Sequence, residues 1–449
     1  MLAWLDGRID YERVPPGRNT KGTFGLARMR RLLELLGSPQ HDFPVVHVAG
    51  TKGKGSTVAM LAGILGEAGH RVGRYMSPHV HTVEERICVA GRPISGQELV
   101  AAFDAVIPAV EEMDRVAARR GARRPTWFEA VTAAALLHFS RTRVDIAVLE
   151  TGLGGRLDAT NVCRPLVSVI TSVSLDHMAV LGRTVGLIAG EKAGIIKRGR
   201  PVIAGAEHPA ARRVIAATAA RRRAPLLQMG RDFQVAFVPP EPTAGLLAGG
   251  QVEISTRSPG GGVADDPLRY RLAMAGSHQA TNAALAVMTA LKLDALGHRV
   301  PPPAITRGLL RVRLPARIER VADEPLVVVD AAHNVASMRS LVDTLAVALV
   351  ERRPRVLVFA VSGDKQIEEM LAIVAGRFDQ VIVTRYTTND RAATIERLLA
   401  ACRTAGVSRP RVAAAPAEAL EMARSIAGSR GIICVAGSFF LAAEVRAGS

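Results

Sequence analysis

Apolar positions along this chain fall into short β-branched runs separated by stretches of helical spacing. Val45–Ala49, Asp145–Glu150, Leu166–Thr171 and Pro201–Ala204 are predicted as strands, as are Leu326–Asp330, Val356–Val361, Gln380–Thr384 and Gly431–Ala436. Val and Ile occupy both faces of these runs, as strands covered by helices on either side of a parallel sheet require. After the first run, Val58, Leu61, Ala62 and Leu65 recur at i, i+3, i+4 and i+7, which predicts an amphipathic helix from Ser56 that stops at Gly69. Val72–Met76 reads as another strand and Gln279–Leu296 as another helix. Between about Phe237 and Tyr270 the cadence breaks. Pro239, Pro240, Pro242, Gly249, Gly250 and Gly260–Gly262 surround a strand-like Gln251–Thr256, predicting a surface hairpin with flexible loops. Pro301–Pro303 and Pro315 precede the second α/β series. The expectation is an α/β protein with a parallel-sheet domain over 1–314 and a smaller α/β domain over 315–449.

Composition narrows the classes. At 449 residues the chain needs two or three cores. Lys and Arg total 58 against 41 acids, a net +17, which suits anionic ligands or merely reflects an arginine-rich proteome. The basic clusters, such as Arg119-Arg120 and Arg221–Arg223, are short, scattered and not interleaved with aromatics, so no nucleic-acid platform is expected. Cys88, Cys163, Cys402 and Cys434 form no C-x-x-C pair, which argues against a disulfide framework or structural zinc and for a reduced compartment. Asp6 arrives too early for a signal peptide, and no apolar run reaches the roughly 18 residues a membrane span needs. A cytoplasmic protein without a membrane partner is expected.

Candidate chemistry clusters where predicted strands end. Val45–Ala49 runs into Gly50-Thr51-Lys52-Gly53-Lys54-Gly55-Ser56, the layout of a phosphate cradle. Its glycines let backbone N–H groups approach a polyphosphate, the following helix adds positive partial charge and Lys54 a full one. The spacing is not the usual G-x-x-x-x-G-K-[ST], and a tight strand-to-helix turn is the bland alternative. Glu150 ends the second strand and is followed by a glycine loop, Gly152 to Gly155, then Arg156 and Asp158. An acid so placed suits a metal ligand or base near a nucleotide, against a turn-capping role. Asp176-His177 follows the third strand, offering an imidazole to a divalent metal, and Ser77 follows Val72–Met76, its hydroxyl a Mg²⁺ ligand or a helix N-cap. Lys192, taken alone, reads as a solvated lysine. In the second series, Asp330 and His333 end a strand and suit contacts to ribose or phosphates, and Arg317 would close onto phosphates.

Together these segments resemble the folylpolyglutamate synthase/dihydrofolate synthase family, a branch of the Mur-type ATP-dependent amide ligases. The resemblance runs through Gly50–Ser56, Ser77-Pro78-His79, Thr126-Trp127-Phe128-Glu129, Glu150–Asn161, Leu175–His177, Glu191–Gly194, His278–Asn282 and Asp330–Asn334. It implies a P-loop-type ATPase domain with a Rossmann-like C-terminal domain. It also implies a reaction in which ATP phosphorylates a pteroate or folate carboxylate and the amine of L-glutamate attacks the acyl phosphate. By this resemblance Gly50, Thr51, Lys52, Gly53, Lys54, Gly55 and Ser56 hold ATP phosphates, with Asn282, Arg317 and Asp330 completing the nucleotide site. Ser77, Glu150 and His177 ligate Mg²⁺, and Lys192 matches a lysine the family carbamylates into a further Mg²⁺ ligand. Thr126, Trp127, Phe128, Glu129, Leu157, Asp158 and Ala159 line the pterin site, and His333 lies near the γ-phosphate. The partners implied are dihydropteroate or a reduced folate and L-glutamate, and the expected state is a monomer. Lys52 stands where asparagine is usual, Ala331 where glycine is usual, Gln366 replaces an acid, and Val83–Arg86 is more acidic than the usual run. Ala331 matters only if that backbone needs a positive φ. A Mur-type ligase for another acyl acceptor, and a nucleotide-binding regulator without activity, stay open beside this reading.

Overall fold

The computed structural model describes residues 1–12, 24–241, 244–257 and 266–447. Pro242 and Gly260–Gly262, assigned above to flexible loops, lie outside the described residues. The chain forms two compact units. The first comprises 1–237, 252–271 and 279–312, and the second 238–251, 272–278 and 313–449.

An eight-stranded sheet organises the first unit, in the order Arg92–Pro93, Ile87–Val89, Val72–Tyr75, Ile146–Glu150, Val45–Ala49, Val167–Ile170, Val202–Ala204, Leu226–Gln228. From Val72–Tyr75 onward neighbours pair in parallel, and the two strands at the other edge are antiparallel. Every residue of Val45–Ala49 and Ile146–Glu150 is buried, as strands under helices on both faces must be. Val45–Ala49 lies between Ile146–Glu150 and Val167–Ile170, so the loops that leave the carboxyl ends of these three strands emerge side by side. That is where open α/β sheets bind ligands.

The helix after the first strand spans Lys54–Glu67, two residues earlier than its apolar spacing predicted, and is buried on more than one face. Val58, Met60, Leu61, Ile64 and Leu65 are all inaccessible, each burial stabilising by roughly 1.5–3 kcal/mol. The amphipathic expectation fails because a second helix, Pro302–Arg311, covers the side that would have met water. Gly308 makes that approach feasible: a Cβ there would lie 2.5 Å from the backbone of Ile64. The predicted hairpin is instead a three-stranded sheet of Phe233–Val238, Gln251–Thr256 and Leu268–Arg271. Gln251–Thr256 is its central strand, and the alternation of Phe233–Val238 between buried and exposed positions supplied too weak a signal to be read as a strand.

The second unit carries a six-stranded sheet in the order Glu319–Asp323, Leu326–Val329, Ile432–Ala436, Arg355–Phe359, Gln380–Val383, Arg411–Val412. Only Glu319–Asp323 runs antiparallel to its neighbour. Its core joins Val328, Leu357, Phe359, Val383 and Cys434 to Met338, Leu341 and Met370 from the covering helices.

Candidate active site

Gly53 decides the shape of the glycine loop. Its φ of +80° places it in the left-handed region as N-cap of the Lys54–Glu67 helix, so successive N–H groups turn toward one side. A Cβ at Gly53 would sit 2.1 Å from Asn282 Oδ1, which brings the His278–Asp294 helix against the loop. Asn282 is held there by a 2.9 Å bond to Gln279. The loop is also tied to the segment after Val167–Ile170: Thr51 N donates to the Ser172 carbonyl at 2.7 Å, Ser174 N to Thr51 Oγ1 at 3.1 Å, and Lys52 N to Ser172 Oγ at 3.1 Å. Burial holds the Lys52 ammonium below its ordinary pKa, with Asp176 opposing.

Glu150, at the end of the neighbouring strand, is buried beside this loop. Its Oε1 lies 3.7 Å from Lys54 Nζ and its Oε2 accepts from Ser77 N at 3.3 Å. Ser77 caps no helix; it stands in the loop leaving Val72–Tyr75, with its hydroxyl-bearing residue pinned to the carboxylate. Lys192 is not the solvated lysine its sequence position suggested. It is 4 % exposed, and its Nζ donates to the Gly50 carbonyl at 2.7 Å. Burial, then the nearby charge of Lys54, pushes its pKa down to about 7 against the pull of Asp176 and Asp158. The correction is tertiary, since the Val185–Ala193 helix turns this side chain onto the glycine loop. His177 takes a φ of +47° and its side chain is half exposed. Among the described residues no group of three or more His, Cys, Asp or Glu side chains is placed to hold a metal.

The Thr126–Glu129 segment opens the Trp127–Arg141 helix as a capping box, Thr126 Oγ1 accepting from Glu129 N at 3.2 Å and Thr126 N donating to Glu129 Oε2 at 2.8 Å. The Glu129 carboxylate also meets Arg28 at 3.1 Å. Phe128 faces Gly152, where a Cβ would fall 2.6 Å from its ring. Asp158, flanked by Leu157 and the buried Ala159, shapes the glycine loop before it: Leu153 N donates to Oδ2 at 2.8 Å, and Thr160 N and Oγ1 donate to Oδ1 at 3.0 and 2.5 Å. Burial raises its pKa, and these bonds work the other way.

Within the second unit, Asp330 is buried, and its carboxylate accepts from Ile318 N and Ala332 N, both at 2.8 Å. Burial raises its pKa and the charge of Arg317 opposes this. The Arg317 guanidinium lies 4.6 Å from the centre of the Phe439 ring. His333 Nδ1 donates to the Ala331 carbonyl at 2.8 Å, so Nδ1 carries a proton. Ala331 is absent from the positive-φ positions of the described residues, so the missing glycine costs nothing there.

Two family profiles match the chain: the Mur ligase middle domain over residues 48–290 and the Mur ligase glutamate ligase domain over 316–439. Dihydrofolate synthase/folylpolyglutamate synthase of Bacillus subtilis is 35 % identical over 99 % of this chain and 97 % of its own length. The chain belongs to the folylpolyglutamate synthase/dihydrofolate synthase family of Mur ligases. Its Mycobacterium tuberculosis relative of the same name is 36 % identical over 94 % of this chain and 85 % of its own length. Solved structures agree. Mycobacterium tuberculosis folylpolyglutamate synthase, complexed with ADP and AMPPCP, superposes with a TM-score of 0.85 at 33 % identity, covering 99 % of this chain and 96 % of that one. Escherichia coli FolC in complex with DHPP and ADP gives 0.79 at 30 % identity, covering 99 % and 96 %.

This Mur ligase also uses residues that motif reading passed over. His47, inside an otherwise apolar strand, has its Nε2 2.7 Å from Thr160 Oγ1, and burial lowers its pKa to about 3, so it is a neutral strut behind Asp158. A histidine in an otherwise apolar buried strand was the available signal. Among the described residues no helix is long and apolar enough to cross a membrane.

Proposed function

We propose that this Mur ligase joins L-glutamate to the carboxylate of dihydropteroate, of folylpolyglutamates, or of both, through an acyl phosphate made with ATP. The observation that carries the reading is the convergence of Lys54, Glu150, Ser77 and buried Lys192 on the Gly50–Ser56 loop. A carboxylate is a poor electrophile, and phosphorylation turns its oxygen into a leaving group. Lys52 and Lys54, with the N–H groups after Gly53, would hold the transferring phosphates, and Asn282 would fix the loop against the nucleotide. In the second unit, Asp330, Arg317 and His333 are the candidates for contacts to the nucleotide.

The oxygen donors of Ser77 and Glu150 fit Mg²⁺, a hard cation, and the carboxylate already faces a cation in Lys54. His177 and Lys192 would extend that set. When bound, Mg²⁺ neutralises charge on the phosphates as the γ-phosphoryl group moves. With a pKa near 7, Lys192 carries a substantial neutral fraction, and its amine can add CO₂ and release a proton to become an anionic carbamate. Thr126, Trp127, Phe128 and Glu129, with Leu157, Asp158 and Ala159, would receive the pteroyl group. We assign the protein to the cytoplasm, as a monomer.

Phosphate release from ATP with Mg²⁺ and L-glutamate tests the reading, comparing dihydropteroate, tetrahydrofolate and no acceptor, with product mass measured. Release with one or both pteroyl acceptors and a matching glutamyl adduct supports it. Glutamate-dependent release with neither points to another acyl acceptor, and the reading falls.

A further inference from the structure

Arg86 is the largest fully buried side chain of the described residues, and the reaction outlined above gives it no task. A buried guanidinium must have its charge met and its donors matched. Glu12 supplies the charge in a two-pronged contact, NH1 to Oε1 at 2.9 Å and NH2 to Oε2 at 2.5 Å. Of the three N–H donors left, Nε–H points to His79 Nδ1 at 2.7 Å. The face of the guanidinium lies 4.6 Å from the centre of the Trp127 ring, and His79 packs 6.2 Å from the same ring. Trp127 N is in turn bonded to the Ile9 carbonyl at 3.0 Å. One cation therefore joins three segments: the residues around Glu12, the loop that begins at Ser77, and the start of the Thr126–Glu129 wall.

The chemistry of this arrangement is directional. Arginine only donates, so His79 Nδ1 must be the lone-pair nitrogen, and the neutral ring carries its proton on Nε2. Glu85 stiffens the same loop by accepting from Val80 N at 2.8 Å and His81 N at 3.0 Å.

We propose that Arg86, held by Glu12, is a positioning residue for the acyl acceptor: it fixes His79 in the Nε2–H tautomer and seats Trp127, so that the acceptor wall and the Ser77 loop keep one relative geometry. This rests on the functional reading above for the identity of the acceptor, but not for the tautomer. Its effect falls first on acceptor binding and orientation, because its guanidinium contacts Glu12, His79 and Trp127 rather than the Gly50–Ser56 loop.

The test uses the full-length enzyme and the variants Glu12→Gln, Arg86→Lys and Arg86→Met. Nitrogen-15 histidine NMR should show His79 as a single Nε2–H tautomer in the wild type and a mixture in Arg86→Met; an unchanged His79 signal in that variant overturns the proposal. Glu12→Gln and Arg86→Lys should raise the KM for the pteroyl acceptor about tenfold or more while the KM for ATP stays within about twofold. Glu12→Gln, at a partly exposed position, keeps the side chain's shape, and thermal melting shows that the variant is folded before the kinetics are compared. In a Trp4→Phe background, Trp127 is the remaining tryptophan, and its emission should shift in Arg86→Met. Parallel losses for acceptor and ATP would mark a merely structural role and overturn the proposal. Absence of turnover with any pteroyl acceptor in the wild type would instead refute the functional reading, while the tautomer measurement would still decide the positioning of His79.

Discussion

Replacing Lys192 with methionine separates what this lysine does for catalysis from what its burial costs the fold. Its pKa falls from 10.5 in the unfolded chain to about 7 in the native state. The native state therefore binds fewer protons than the unfolded state between those values, and stability rises with pH across that window. The full displacement corresponds to about 5 kcal/mol, at about 1.4 kcal/mol per pH unit. Below about pH 7 the native enzyme carries the buried charge and the destabilisation is complete. Methionine fills a similar volume without charge, at the loss of the 2.7 Å bond to the Gly50 carbonyl, a contribution of about 1 kcal/mol. Denaturant unfolding of both proteins in CO₂-free buffer should show the variant more stable at pH 6. The wild type should gain about 2–3 kcal/mol on it from pH 7 to 9. The variant should also lose ligase turnover. A stability difference that stays flat from pH 6 to 9 would refute the burial argument, and full activity in the variant would remove Lys192 from the mechanism.

Gly53→Ala should weaken ATP binding sharply and destabilise the protein by roughly 1–3 kcal/mol, since φ is +80° and the new Cβ meets Asn282 Oδ1 at 2.1 Å; calorimetric titration with ATP and thermal melting check both. Glu150→Gln should leave a folded enzyme whose turnover no longer saturates with Mg²⁺ in the wild-type range, because the carboxylate facing Lys54 is gone; a Mg²⁺ titration of activity reads this. Asp158→Ala removes the acceptor for three donors around the glycine loop, so a loss of roughly 2–4 kcal/mol and a raised acceptor KM are expected from unfolding and kinetics. Wild-type enzyme stripped of CO₂ should regain turnover when bicarbonate is added, and no response would count against a carbamate on Lys192.

The central parallel strands of the two large sheets and the glycine loop were legible in the chain because each rests on local pattern, β-branched runs with turn residues at fixed offsets, whereas edge strands such as Ile87–Val89 and Glu319–Asp323 were not. Val45–Ala49 and Ile432–Ala436 are fully buried strands that any reading of hydrophobic runs would find. The face that the Lys54–Glu67 helix buries was not legible, because the Pro302–Arg311 helix that covers it lies more than two hundred residues away in sequence. The same separation hides the state of Lys192, which folding buries against the Gly50 carbonyl, so that burial first and the charge of Lys54 second lower its pKa. Arg86 looked like one charge in an acidic run, and only folding sets it between Glu12, His79 and Trp127. Sequence alone thus determined residue chemistry and the local conformations that periodicity and glycine impose. Tertiary structure decided which polar groups lose water and which charges face one another, and those long-range terms set protonation, tautomer and the shape of the site.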